Sequence, residues 1–538
     1  VRSAVAGGAP AARILPWLAA VLVAAVAWWA SRPYAVGVFH DDGVYVILAK
    51  SIATGQGFRF LHLPGAPAAT HYPPGYPLLL AAVWRVMPSF PENVSAFLFV
   101  NALLLGATAL GVARFAERVL GWPRAGAVMA AIAATLSTPL LMLSGLVLSE
   151  PLFIAALFPA ALLAERLVRD STERGGNETR DALVLGFCLG LIGLVRTHGL
   201  ALAVGVIIVL ALRRRWRAMV LCGAAVAATL APWQLWLAWH TQQFSETLSG
   251  SYGPYGSWLA QGVRGNPLGF LPRTMLINAR EIGALFADHF SLSDHATPRL
   301  VSAVLATAAI VIGAWRLSKR APVFVAFAVV YTLVLLAWPY TPWRFVFTVW
   351  PVVVLCVGAT IDLALRAPRE SRAGVTALRV TGALALLVVC AGAVWEEGRA
   401  YATRSWTRSA AQATAQIAPI VRWVNRETKV DDVVAVDGEQ LVYLFTNRHA
   451  VPVVPFTAGE YLMPRTVADN AASLRRLIDE YPIKYVLTIS PSIRASASLV
   501  ASADGDGGGA ATPSRRKPAL VRIAPLLGGD AYRVDRPY

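Results

Sequence analysis

Charge is what this sequence has least of. Only 15% of its 538 residues are Asp, Glu, Lys or Arg, while 56% are hydrophobic and the mean hydropathy is +0.55. A soluble domain carries about a quarter charged residues, so an ordinary water-soluble fold is excluded and the chain needs lipid as its solvent. Cysteine is scarce too. All four, Cys188, Cys222, Cys356 and Cys390, fall inside apolar runs, which excludes a disulfide framework and a thiolate zinc site. Acidic residues are fewer than basic ones, 31 against 48, leaving a formal charge of +17. That surplus does not call for nucleic acid, because membrane proteins collect Lys and Arg in their cytoplasmic loops. No cleavable signal is expected. The first apolar run, 14–30, continues through Trp28 and Trp29 without a small-residue cleavage site, and it is expected to be the first membrane helix.

Apolar runs approaching the ~20 residues that cross a bilayer lie at 14–30, 95–113, 125–143, 149–165, 182–196, 198–212, 218–239, 299–315, 322–338, 345–364 and 376–395. They predict a polytopic α-helical protein of about eleven transmembrane helices. Basic clusters set its orientation. Arg114, Arg118 and Arg124, then Arg166, Arg169, Arg174 and Arg180, then Arg213, Arg214, Arg215 and Arg217, then Arg316, Lys319 and Arg320, and finally Arg366, Arg369 and Arg372 all fall in alternate loops. The excess of Lys and Arg stays cytoplasmic, so the N-terminus is expected inside a multi-pass cell-membrane protein. The loops at 31–94 and 240–298, and everything from residue 397 onward, are expected outside.

Residues 1–396 therefore read as a membrane domain and 397–538 as an extracytoplasmic domain. In the second, "DDVVAVDG", "HAVPVVPF" and "IKYVLTIS" are short and rich in Val and Ile, while "TVADNAASLRRLIDEY" has helical spacing. These patterns predict a small α/β fold. The stretch 501–518, rich in Gly, Ser and Asp, reads as a surface loop before a final hairpin at Gly528 and Gly529.

Candidate chemistry clusters at the predicted outer ends of the helices. His40, Asp41 and Asp42 precede an amphipathic segment with Val44, Ile47, Leu48 and Ile52 along one side, suited to lie on the membrane interface. Paired carboxylates there suit a general base and a neighbour that orients or tunes it; the plainer reading has Asp42 capping the following helix. Further along the loop, His71 and Tyr72 precede "PPGYP", a rigid turn back toward the membrane. They are candidate substrate contacts together with Lys50. Glu150 opens the fourth predicted helix after a run almost without charge, and an acid at membrane depth requires a partner or a task. Arg196 and His198 in "VRTHG", and Tyr340 and Arg344 in "WPYTPWRF", lie on the side that topology denies to Arg. A planar guanidinium among apolar neighbours suits a phosphate, against the alternative of interfacial snorkelling. "DHFSLSDH", with Asp288, His289, Asp294 and His295, matches no standard zinc or calcium spacing. No metal site is assigned, and a divalent ion beside His40, Asp41 and Asp42 stays open.

The order of these features resembles the C-type integral-membrane glycosyltransferases. The similar group includes the protein O-mannosyltransferases, of the family 39 type, and the lipid A aminoarabinose transferase. The shared features are the acidic pair Asp41–Asp42 after the first helix, the paired prolines of "HYPPGYPLL", and Glu150 in "SEPLF". The resemblance implies juxtamembrane helices in the first outer loop and a sugar donor carried on a polyprenyl phosphate. It also implies inversion at the anomeric carbon, with Asp41 as the base and Asp42 and Glu150 orienting acceptor or donor. Where the aminoarabinose transferases carry a Lys before the prolines, this chain has Tyr72. Arg196 and Arg344, with His198 and Tyr340 beside them, are then the candidates to hold the donor phosphate. The acceptor is a hydroxyl of a lipid, a glycan or a protein. The rival expectation is a transporter or lipid flippase without covalent chemistry, against which stands the lack of clear internal repeats or of helices interrupted at the midplane.

Overall fold

A computed structural model of the protein describes residues 10–169, 178–240, 244–366, 373–505, 519–526 and 529–536. The chain is built as a multi-pass membrane protein, with one small sheet among the described residues. It forms two compact units. One comprises Val1–Arg32, Leu98–Trp233 and Pro272–Thr407, and the other Pro33–Phe97, Gln234–Leu271 and Arg408–Tyr538.

The first unit is helical. Among the described residues, six helical stretches are long and apolar enough to cross a membrane: Arg13–Ala30, Val94–Leu120, Glu150–Arg169, Trp216–His240, Ala296–Ser318 and Val380–Thr403. Their burial is the reverse of that in a soluble bundle. On the first helix Ala19, Val23 and Ala27 are buried at a four-residue spacing while Leu18, Val21 and Leu22 are exposed. Small side chains let helices approach, and large apolar ones are left for lipid.

The expected straight run at 125–143 is instead a bent pair, Arg124–Thr135 and Thr138–Ser144, meeting at 60°. Pro139, in the first turn of the second segment, has no amide hydrogen to extend the ladder. Glu397 and Tyr401 satisfy the backbone freed there. Thr138 N and Oγ1 donate to Glu397 at 2.8 and 2.6 Å, and the Tyr401 hydroxyl donates to Leu136 O at 2.6 Å. The run at 345–364 is likewise divided, into Trp343–Thr348 and Trp350–Leu365, with Pro351 at the start of the second piece. The helix Pro322–Ala337 has only 16 residues, about 24 Å at 1.5 Å per residue. Side chains from neighbouring helices close both its ends. Glu165 accepts from Phe324 N at 2.9 Å, and Asn278 Nδ2 donates to Leu335 O at 2.9 Å and Trp338 O at 2.8 Å. A lipid-embedded helix end without such partners would be costly.

The second unit contains the predicted α/β fold. Its strands are β1 (Val433–Val436), β2 (Ala450–Val451), β3 (Ile483–Thr488), β4 (Ala519–Leu526) and β5 (Gly529–Asp535), in the order β2-β1-β3-β5-β4. β1 pairs in parallel with β2 and β3, and the hairpin β4–β5 adds antiparallel to β3. All four β1 side chains are buried, as expected of a central parallel strand reading "VVAV". The helix Arg408–Glu427 lays Ile417, Ile420 and Val424 on this sheet with Trp423 beside them, an i, i+3, i+7 stripe. Each such side chain contributes about 1.5–3 kcal/mol on burial. The helix Pro491–Gly505 extends into the segment expected to be a loop; residues 506–518 and Gly528 lie outside the described residues.

The first loop is part of this unit, not an appendage of the membrane helices. Ala35 N donates to Thr414 Oγ1 at 3.0 Å, Ala450 N to His62 O at 2.8 Å, and Trp236 Nε1 to Ala69 O at 2.8 Å. Gly37 adopts φ +107°, and a Cβ there would stand 2.7 Å from Leu441 Cα. Only glycine tolerates both demands.

Candidate active site

The second unit positions the acidic pair. The helix Asp41–Ala53 begins after His40, whose backbone sits at φ 61°, ψ −67°. The Asp42 carboxylate turns backward and is fully buried: Oδ2 accepts from Gly37 N at 2.9 Å and Oδ1 from Phe39 N at 3.1 Å. It fastens the loop that leads into the helix. Burial pushes this carboxyl above the usual carboxylate range, against the hydrogen bonds from Gly37, Tyr34, Gly43 and Phe39 that pull it down.

Asp41 is half-buried and receives the Tyr72 hydroxyl on Oδ1 at 2.5 Å. Burial, and then the Asp41 charge, raises Tyr72 well above its ordinary value, so it stays a proton donor. A half-buried carboxylate that accepts so short a bond is held firmly in one orientation. His71 is buried with Nδ1 at 2.5 Å from Gly253 O; burial lowers it to about 4, which keeps the ring neutral. Lys50 lies at the other end of the helix, donating to Asn447 Oδ1 at 3.3 Å with Nζ 4.8 Å from the centre of the Tyr443 ring.

Sequence reasoning missed residues of this cluster. Glu439 and Gln440, at the start of the helix Glu439–Thr446, meet Tyr252, His62 and His40. Gln440 Nε2 is 2.8 Å from His40 Nδ1 and 2.9 Å from the Tyr252 hydroxyl, which donates to Glu439 and lies 2.9 Å from His62 Nε2. The available signal was the pair Glu-Gln after a glycine at a helix start.

The first unit holds the other predicted residues. Glu150 opens its helix fully buried. Arg344 Nε donates to Oε1 at 2.5 Å, and Arg196 Nη1 lies 2.9 Å from Oε2. Arg196 Nη1 also donates to Ser149 Oγ at 2.9 Å. Phe345 is the apolar floor, with the Arg196 guanidinium 5.5 Å from its ring centre and His198 stacked at 4.8 Å. The buried carbonyl of Phe345 accepts from the Tyr331 hydroxyl at 3.0 Å. Tyr340 is exposed, its ring edge-on to Phe345 at 6.5 Å. Two guanidiniums about one carboxylate leave a surplus of one positive charge, an arrangement able to receive an anion. Snorkelling does not describe either Arg, since both are turned inward to Glu150.

Among the described residues, no group of three or more His, Cys, Asp and Glu side chains is disposed to hold a metal ion. The pair at Asp288 and Asp294 is engaged separately, by Arg299 and Arg399.

No protein-family model and no curated protein matches this sequence. Solved structures do. The chain is similar to ArnT from Cupriavidus metallidurans bound to undecaprenyl phosphate, with TM-score 0.53, 12% identity, and 98% of each chain covered. It is similar to the apo state of the same protein with TM-score 0.51, 13% identity, and 96% of this chain and 97% of that one covered. The likeness runs from end to end and shows that the chain shares the fold of ArnT.

Proposed function

We propose that this protein transfers a sugar from a polyprenyl-phosphate donor to an acceptor hydroxyl at the non-cytoplasmic face of a cell membrane, with inversion at the anomeric carbon. The observation that carries the reading is the end-to-end fold shared with ArnT, whose crystal structure holds undecaprenyl phosphate. The proposed topology has about eleven crossings, the N-terminus in the cytoplasm, and residues 397–538 as an extracytoplasmic domain.

In this reading Asp41 takes the proton from the acceptor hydroxyl as its oxygen attacks the anomeric carbon. The bond from that carbon to the phosphate oxygen breaks, and polyprenyl phosphate leaves with the electron pair. Asp41 is suited to this because the Tyr72 hydroxyl fixes one of its oxygens at 2.5 Å. Arg196 and Arg344 stabilise the phosphate charge that grows in the transition state. Glu150 orients the two guanidiniums, and Asp42 holds the loop that presents Asp41. His71 and Lys50 act by holding the same unit together. Lipid, glycan and protein hydroxyls are all acceptors consistent with this chemistry, and no step is routed through a metal ion.

The test uses the full chain in lipid nanodiscs with undecaprenyl phosphates carrying mannose, arabinose or 4-amino-4-deoxyarabinose, and envelope lipids, glycans and peptides as acceptors. Wild-type transfer, lowered about 100-fold or more by Asp41→Asn, is the expected outcome. Full turnover by well-folded Asp41→Asn removes the base assignment. Lipid translocation without transfer from any donor replaces the reading with a flippase.

A further inference from the structure

We propose that Glu439 and Gln440 of the C-terminal domain are positioning residues for Asp41, acting through the strained backbone of His40. The proposal rests on Asp41 being the base and adds what aims it.

His40 directly precedes Asp41 and adopts φ 61°, ψ −67°. A non-glycine residue in so sparsely populated a region is strained and persists only where its surroundings hold it. The contacts that do so come from a segment 400 residues away. Gln440 is fully buried, and its Nε2 lies 2.8 Å from His40 Nδ1. The same nitrogen is 2.9 Å from the Tyr252 hydroxyl and 2.9 Å from Glu439 Oε1. Glu439 is itself buried in the first turn of its helix, where the helix dipole favours a carboxylate.

The backbone leaves little slack for this contact. A Cβ on Gly43 would stand 2.6 Å from Gln440 Cβ, so the start of the helix Glu439–Thr446 presses on the start of the helix Asp41–Ala53.

A second arm reaches Asp41 from the same hub. Tyr252 O accepts from Thr70 Oγ1 at 3.0 Å, and Gly253 O is met by His71 Nδ1 at 2.5 Å. These anchor the residues just before Tyr72, whose hydroxyl holds Asp41. Asp41 is thus clamped through its own backbone by His40 and through its side chain by Tyr72, and both arms converge on Tyr252 and its Glu439–Gln440 partners. Releasing the first arm lets His40 relax to negative φ and turns the peptide that carries Asp41. Reaction rates fall about 100-fold for misplacements near 1 Å.

The experiment is a double-mutant cycle on the full chain in nanodiscs, using whichever undecaprenyl-phosphate sugar the wild type transfers. Gln440→Met fills the buried space without the hydrogen bond, and His40→Gly removes the strain and the partner together. Each is expected to lower kcat about 10–100-fold and to leave the donor KM within about twofold, as positioning of the base alone requires. The double variant should be no slower than His40→Gly alone, because both substitutions break one link. Tyr252→Phe, lacking a single hydroxyl, carries the same expectation of lowered kcat at unchanged KM should Gln440→Met fail to fold. Multiplicative losses in the double variant, wild-type kcat in Gln440→Met, or a loss confined to KM overturns the positioning role while leaving the base intact. Absence of transfer by the wild type, or full turnover by Asp41→Asn, overturns the reading on which the role rests.

Discussion

Glu150→Gln tests the buried ion triad most directly. The substitution keeps the shape of the side chain and removes its charge, leaving Arg196 and Arg344 facing one another without the carboxylate that Nη1 and Nε reach at 2.9 and 2.5 Å. The triad's surplus rises from one positive charge to two. Removing one partner of a buried pair costs about 3–5 kcal/mol, mostly the penalty of a stranded charge. A loss of that size should lower the apparent Tm by several °C. Tryptophan fluorescence during heating in nanodiscs, at one fixed scan rate, reads the shift. A second substitution sharpens the test: Glu150→Gln combined with Arg344→Met returns the site to a single cation and should recover a substantial part of the loss. A Glu150→Gln protein melting within about 1 °C of wild type, or a double variant less stable than both singles, would show that the triad does not exist as described.

Two further outcomes are expected. Tyr72→Phe deletes the donor at 2.5 Å from Asp41 Oδ1; a carboxylate no longer held in place should lower kcat about 10-fold or more with the donor KM little changed, and wild-type kcat would remove Tyr72 from the site. His71 is held neutral by burial, its value lowered from 6.5 to about 4 against the opposing hydrogen bond to Gly253 and the charge of Asp41. The unfolded chain therefore takes up this proton first as pH falls: the stabilisation is complete above about 6.5 and drains away toward 4, about 3 kcal/mol in all. His71→Gln should flatten that part of the stability profile measured by thermal unfolding between pH 7 and 4, and an unchanged slope would refute the assignment.

Particular residues show how far the sequence could be read. Hydropathy located many of the helical runs because lipid selects for apolar length irrespective of tertiary partners, but not the helix Phe270–Phe290, which lies in the segment expected as an outer loop; the Val-rich segments located β1 and β3. The bend at Pro139 and the division at Pro351 were harder, since a proline inside an apolar run is compatible with a continuous, kinked span. The role of Asp42 was legible only as one carboxylate of a pair. Its backward turn to Gly37 and Phe39 depends on a loop conformation that no periodicity encodes.

By itself, then, the sequence determined the solvent, the helical segments, the small sheet and a short list of ionisable residues that lipid would not tolerate unpartnered. Those are consequences of composition and local spacing. Only the tertiary structure decided the partners: Glu150 with Arg344, 194 residues on, and His40 with Gln440, 400 residues on. Such contacts are set by how helices and loops pack, and chain closure over those distances leaves no local pattern. The charge so scarce along the chain is gathered by the fold into a few buried groups, each defined by a partner far away in sequence.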